Sequence, residues 1–404
     1  MSRIKIRNFG PVKTGVQDND GWLDIKKVTL FIGNQGSGKS TVAKLISSFT
    51  WIEKALVRGD YNNKWFERKN KFKNQILGYH RLTNYLNDYT EIEYEGDAFS
   101  IKYQNQVMEI SEVSNQYPLP QIMYVPAERN FIASVKTPDV LKLSSDALKE
   151  FLAEFDNAKQ NMAGLCLPVN NVCLEFDKLN DTLNLIGEDY KIKLTEASSG
   201  FQSLVPLYMV SYNLSDTVKK LSETNQPTSS VEMNRFKKGF IEIWENTHLT
   251  DEQKRSAISV LASKFNKTAF VNIVEEPEQN LFPSSQWEIL QRLLEFNNLS
   301  DGNKLIMTTH SPYILNYLTL AVKADEIMRR TCNNDIKAKL NEIVSPYSTV
   351  KSDDLAIYEL DDYGNIIQLG NYCGLPSDEN YLNDGLGKTN DLFAELLKLE
   401  DQCL

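Results

Sequence analysis

Residues 31–41 read FIGNQGSGKST, which sets three glycines, a lysine and two hydroxyl residues directly after the apolar run VTLFI. Glycine costs more backbone entropy than any other residue, so three of them beside a cation need a physical reason. The run before them has the unbroken apolarity of a buried strand. The segment after them, STVAKLISSFTWIEKAL, has apolar residues at helical spacing. A strand that passes through a glycine loop into a helix places this region in an α/β sheet.

The stretch fits G-x-x-x-x-G-K-[ST], the Walker A pattern, with Gly33, Gly38, Lys39 and Ser40 at its fixed positions. Because its glycines lack Cβ atoms, the backbone of Gly33, Asn34, Gln35, Gly36, Ser37 and Gly38 can curl and aim successive N–H groups at phosphate oxygens. The N-terminus of the following helix adds its dipole. The expected roles are charge neutralisation at the β and γ phosphates of ATP by Lys39, ligation of Mg²⁺ by Ser40, and donation to the α phosphate by Thr41. Farther along, AFVNIV reads as a buried strand that ends in the carboxylates Glu275 and Glu276. This is a Walker B pattern: Glu275 is expected at the metal, and Glu276 is expected to polarise the attacking water. KLIMTTH reads as a further strand, with His310 at its end.

Between the glycine loop and the acidic strand lies SSGFQS, residues 198–203, before a helical pattern. The ordered set of glycine loop, serine-glycine helix start, EE strand and strand-end histidine resembles the ABC-type ATPase heads of the SMC and RecF group. YVPAER, EEPEQNLFP and TTHSPYIL are most similar to the OLD-related AAA family ATPases, many of which belong to bacterial anti-phage defence systems. The resemblance implies a P-loop NTPase with a mixed sheet, an antiparallel β subdomain and helical insertions. It implies that Ser199 and Gly200 form a signature loop closing over the γ-phosphate of an opposite subunit, with Gln202 holding the helix start. Phe201 stands where a second signature glycine is usual, and Glu275 where most such ATPases carry Asp. His310 would be the switch histidine and Asn280 would fall in the D-loop. The place of the Q-loop glutamine is taken by Glu128 or Arg129.

The 404 residues are read as one ATPase head with four additions: a lobe with β hairpins at 51–118, a helical lobe at 131–188, a helical insertion at 221–267, and a hairpin and helix at 316–404. Within the insertion, Thr250 and Gln253 form a capping box ahead of a helical pattern. No stretch approaches the ~20 apolar residues of a membrane span, and the N-terminus lacks the apolar core of a signal peptide. Five cysteines without a CxxC pair read as reduced thiols, so a soluble cytoplasmic protein is expected. His80 and His248 read as incidental surface residues. The formal charge of -10 excludes a surface coated in nucleic acid but not a local basic patch. Residues 51–75, rich in Lys, Arg and aromatic rings, read as a solvated amphipathic face or a DNA contact.

Two functions are expected from this set. The first is a regulatory ATPase of an anti-phage system, a homodimer or higher even oligomer around ATP, controlling a separately encoded effector such as a nuclease. Fewer than a hundred residues follow His310, with no Toprim pattern for a built-in nuclease. The alternative is a RecF-like DNA-binding ATPase of repair or recombination.

Overall fold

The computed structural model describes the chain apart from residues 1, 115–116, 136–142, 144, 163, 225–229, 247–253, 255–260, 262–266 and 402–404. It is an α/β structure built on a seven-stranded mixed sheet. The strands in chain order are β1 Arg3–Arg7, β2 Gly15–Val16, β3 Leu23–Asp24, β4 Val28–Gly33, β5 Glu91–Glu95, β6 Phe99–Gln104, β7 Val107–Glu112, β8 Pro120–Val125, β9 Cys173–Asp177, β10 Thr182–Ile186, β11 Lys191–Lys193, β12 Ala269–Glu275, β13 Lys304–Thr308, β14 Leu355–Leu360 and β15 Asn365–Gln368. The main sheet runs β2-β15-β14-β4-β13-β12-β8. Its five strands from β14 to β8 are mutually parallel. Every residue of β4 and β12 is buried, as expected of strands covered on both faces.

The helices of the framework are α1 Lys39–Arg58, α2 Arg129–Ser134, α3 Asp146–Asn161, α4 Ser199–Thr224, α5 Ser230–Trp244, α6 Pro283–Asn298, α7 Pro312–Arg330, α8 Asn334–Ile343 and α9 Tyr381–Asp401. Period-2 alternation sends Leu30 and Ile32 of β4 to one face of the sheet and Phe31 to the other, which creates two cores. On the Phe31 side, α1 buries Val42, Leu45, Ile46, Phe49 and Ile52 at helical spacing, and Gly59 in left-handed conformation ends it. On the other side, α3, α4, α6 and α7 pack on the sheet. A second, antiparallel sheet runs β3-β1-β5-β6-β7 and shares the α1 core. No helix among the described residues is long and apolar enough to cross a membrane.

Register decides where the chemistry gathers. Glu275 pairs with Thr308, Thr308 with Phe31, and Leu360 with Gly33. The carboxyl ends of β12, β13, β4 and β14 therefore meet along one edge, where open α/β sheets place their ligands.

Four expectations need correction or remain open. Among the described residues, the 131–188 region is helical over α2 and α3 alone. Its later part, with β11, forms an antiparallel sheet in the order β11-β10-β9. There CLEFD and TLNLI alternate around a turn with Asp181 in left-handed conformation, and period 2 outweighs the helical spacing. The thiols are not all reduced, because Cys166 and Cys173 form a disulfide. A turn through Asn170 and Asn171, both at positive φ, folds the chain back there. Flanking bonds from Leu167 N–H to Val172 O and from Leu174 N–H to Leu165 O then bring the two sulfurs face to face. Cys332 and Cys373 are free and exposed. The Thr250–Gln253 capping box, His248 and Cys403 lie outside the described residues.

His80 is not a surface residue. It is 4% exposed, wedged edge-on against the rings of Tyr79 and Tyr124. Burial pushes its pKa down to about 3, with the charge of Lys44 adding to the effect. The folded state therefore holds a neutral imidazole that the unfolded chain protonates near 6.5. Its contribution to stability is whole above about 6.5 and declines as the pH falls toward about 3, by up to roughly 1.4 kcal/mol per pH unit. Urea unfolding at stepped pH should show this slope, and His80→Gln should flatten it by about one proton.

Candidate active site

The glycine loop links β4 to α1. Gly33 and Gly38 hold φ values of 137° and 109°, which side chains rarely adopt. A Cβ at Gly33 would lie 2.3 Å from Leu360 O, and one at Gly38 would lie 2.9 Å from Pro11 Cγ. The loop can therefore be made only with glycine at these points. Asn34, Gln35 and Gly36 are exposed at its tip, while Ser37 and Thr41 are buried. Lys39, 4% exposed, donates from Nζ to Gly33 O at 2.9 Å and to Asn34 O at 2.7 Å, so its charge sits inside the curl. Burial pulls its pKa down to about 8 against the opposing charges of Glu276 and Glu278.

Glu275 ends β12 inside the protein. Its carboxylate accepts from the Tyr124 hydroxyl, from the Ala127 N–H at 3.1 Å and from the Ser40 hydroxyl, with Lys44 Nζ at 3.6 Å. Burial alone would raise its pKa. Lys44, followed by these three donors, outweighs burial and holds the carboxylate below its ordinary range. Ser40 and Glu275 thus adjoin across the loop. Among the described residues no group of three or more His, Cys, Asp or Glu could hold a metal. One hydroxyl and one carboxylate fit Mg²⁺, which keeps waters and takes substrate phosphates rather than a full protein cage.

Glu276 adopts a left-handed φ of 45°, uncommon for a residue with a side chain. The bond from its N–H to Thr308 O at 2.9 Å ties the strained residue to the end of β13. This turn brings its carboxylate to 3.7 Å from His310 Nε2, while His310 Nδ1 lies 3.4 Å from Lys39 Nζ. Burial and the charge of Lys39 lower the His310 pKa despite Glu276, so the imidazole is neutral at neutral pH. The structure brings together Lys39, Ser40, Glu275, Glu276 and His310. It does not place Ser199 among them. Ser199 stands exposed at the first turn of α4. Gln202 Nε2 ties that turn to Leu194 O and Thr195 O. A Cβ at Gly200 would lie 2.9 Å from Asn280 O, so α4 begins directly against the segment after the acidic strand.

Of two further residues that organise the site, Glu278 was not singled out from the sequence and Arg129 was named only as one of two candidates for the Q-loop place. Glu278 is half-buried, desolvation of its carboxyl raises its pKa, and Oε1 accepts from Thr309 Oγ1 and the His310 N–H, both at 2.8 Å. It fixes the loop that carries His310. Glu128 and Arg129, the two residues expected at the Q-loop place, point in opposite directions. Glu128 points outward to Arg81 at 3.2 Å, whereas Arg129 is fully buried. Arg129 donates to Glu275 O and Glu276 O, both at 2.6 Å, and to Ser203 O at 3.1 Å. One guanidinium so joins both acidic residues to α4. An arginine three residues after the proline that follows β8 was the only signal, and nothing in its neighbours announces burial.

No protein-family model matches the chain, and no curated protein does. Among solved structures it is similar to an SMC head bound to the C-winged helix domain of ScpA, at 10% identity and TM-score 0.35, covering 78% of this chain and 90% of that one. It is also similar to the SMC head domain from Thermotoga maritima, at 12% identity and TM-score 0.31, covering 78% and 90%. A dimeric ATP-binding cassette in a post-hydrolysis state bound to ADP and Pi matches at 11% identity and TM-score 0.28, covering 92% and 100%. The residue assignments above rest on the chain's own geometry.

Replacing Arg129 by Met removes four hydrogen bonds from a charged donor at once, although Glu276 O keeps the Gln279 N–H and Pro126 O keeps the N–H of residue 129. Hydrogen bonds to charged groups contribute about 1.5–3 kcal/mol each, so thermal and urea unfolding should show a loss on the order of 3 kcal/mol or more. Gly200→Ala should leave the cradle intact but displace the start of α4. Faster amide exchange at 199–203, with unchanged exchange at 33–41, is the expected signature.

Proposed function

We propose that this chain is an ATP-binding and ATP-hydrolysing head that dimerises around nucleotide and controls a separately encoded effector in bacterial anti-phage defence. The observation that carries the ATPase reading is the convergence of Lys39, Glu276 and His310 at adjacent strand ends over the glycine loop. Lys39 supplies a buried positive charge at the phosphates. Glu276, held outward by its turn, is placed to polarise a water, and the neutral His310 bridges it to Lys39. Mg²⁺ held by Ser40 and Glu275 would neutralise phosphate charge when bound.

The dimer reading rests on the exposed first turn of α4. Ser199 and the helix N-terminus are complete as an anion site but lie apart from their own chain's cradle, so they are free to cap the phosphate held by a second copy. Each charge-assisted contact contributes roughly 1.5–3 kcal/mol. A few of them, made with ATP and lost after hydrolysis, shift a monomer–dimer balance by several kcal/mol. Hydrolysis then acts as a timer. The defence role and the effector, a nuclease by preference, rest on the resemblance of YVPAER, EEPEQNLFP and TTHSPYIL. The alternative of a RecF-like DNA-binding ATPase draws on the exposed Lys64, Arg68 and Lys69. It predicts partner-free DNA binding that weakens steeply with salt.

Glu276→Gln should retain ATP binding, lose turnover by about 100-fold or more and accumulate an ATP-bound dimer in light scattering; unchanged turnover would remove Glu276 from its role. Lys39→Ala should abolish tight nucleotide binding. Mixing inactive Lys39→Ala with inactive Ser199→Arg should restore part of the ATPase activity, because a mixed dimer keeps one intact composite site. No recovery on mixing, with both variants folded, contradicts the shared site.

A further inference from the structure

Behind Glu275, between α1, β8 and α3, lies a cavity of about 290 Å³. Its wall is formed by the rings of Trp51, Tyr61, Trp65, Tyr79, His80 and Tyr124. These rings brace one another instead of collapsing inward. Tyr61 stacks on Trp65 at 4.1 Å between centroids, and His80 meets both Tyr79 and Tyr124 edge-on at 4.7 Å. Trp51 and Tyr61 are 40% and 36% exposed, so the mouth is open to solvent. Two polar atoms of lining residues, Ser48 Oγ and His80 Nδ1, are buried without a hydrogen-bond partner among the described residues. Those two atoms are sealed from the cavity, but the Gln75 and Gln121 side chains line it, and an open ring-walled cavity with a few polar groups is what a small-molecule site shows.

From this arrangement we infer that the cavity binds a planar nitrogen heterocycle of nucleobase or nucleoside size, and that its occupancy is transmitted to Glu275 through Tyr124. Ring walls select a flat ligand that can stack. The amides of Gln75 and Gln121, which also line the cavity, select an edge that both donates and accepts hydrogen bonds. The imidazole is neutral, and Lys54 and Glu150 both line the cavity, so neither charge sign is favoured. The volume stands at the small end of ligand pockets, roughly 300–1,000 Å³. Transmission follows from connectivity. Tyr124 gives its ring to the wall and its hydroxyl to the Glu275 carboxylate, so a ligand stacked on that ring constrains the group proposed to orient Mg²⁺.

The binding half of the inference stands apart from the ATPase reading, and the transmission half rests on it. The test titrates the purified full chain with adenine, guanine, cytosine and uracil, as free bases and as nucleosides, by tryptophan fluorescence and calorimetry. Lys39→Ala is titrated in parallel. At least one probe should bind saturably, once per chain, equally well in wild type and Lys39→Ala. Gln75→Leu and Trp65→Ala should each weaken it at least tenfold while unfolding at the wild-type temperature. Saturating probe should change ATP turnover at least twofold in wild type but not in Tyr124→Phe. Absence of saturable binding by every probe overturns the site. So does binding that Lys39→Ala abolishes, since it would belong to the glycine loop. Binding with unaltered turnover overturns the transmission. Binding by a chain that hydrolyses no ATP supports the cavity and counts against the ATPase reading alone.

Discussion

A guanidinium taken out of water must find an acceptor for each of its N–H groups, because an unpaired buried charge costs several kcal/mol. Arg129 meets this condition with main-chain carbonyls: those of Glu275 and Glu276 at the end of β12, that of Pro126, and that of Ser203 in α4. The carboxylates Glu275, Glu276 and Glu278 supply compensating charge, yet burial still lowers its pKa to about 10. The guanidinium remains charged at neutral pH. The left-handed turn at Glu276, the start of α4 and the chain leaving β8 are consequently referred to one rigid centre. Displacement of any of them is felt by the others, which is the physical basis for coupling an exposed helix start to the carboxylate proposed to polarise water.

Around this centre the site divides its labour by burial. The carboxyls of Glu275 and Glu278 are inside and hydrogen-bonded, so they position groups. Glu276 and His310 are part-exposed at 35% and 39% and stand free to meet a substrate. Lys39 lies between these conditions, buried but cradled by carbonyls that cannot neutralise it. A polyanion entering the loop would find a desolvated positive charge already in place. That preorganisation is worth more than the same charge on the surface.

Much of this was legible in the chain itself, because some motifs carry their geometry with them. FIGNQGSGKST can curl only one way once a strand precedes it and a helix follows, and two carboxylates at the end of an apolar run must emerge at a sheet edge. The 355–368 hairpin was also readable from its alternation, but its pairing was not. Whether β14 lies parallel beside β4 depends on strands hundreds of residues away. CLEFD and TLNLI were misread as part of a helical lobe, because short apolar runs fit both periods and only mutual pairing decided between them. His80 and the Cys166–Cys173 pair were misjudged for a related reason. Burial and sulfur proximity are properties of the folded neighbourhood, not of local composition.

The chain alone determined the glycine loop, the identity of the acidic strand end and the strand-end histidine, since each is written in contiguous residues whose backbone requirements are local. The tertiary structure alone decided that Arg129 turns inward while Glu128 turns out, that Glu278 holds the His310 loop, and that six rings enclose a cavity behind Tyr124. These depend on which distant carbonyls, hydroxyls and rings a side chain meets, and that is settled by the order and register of the sheet.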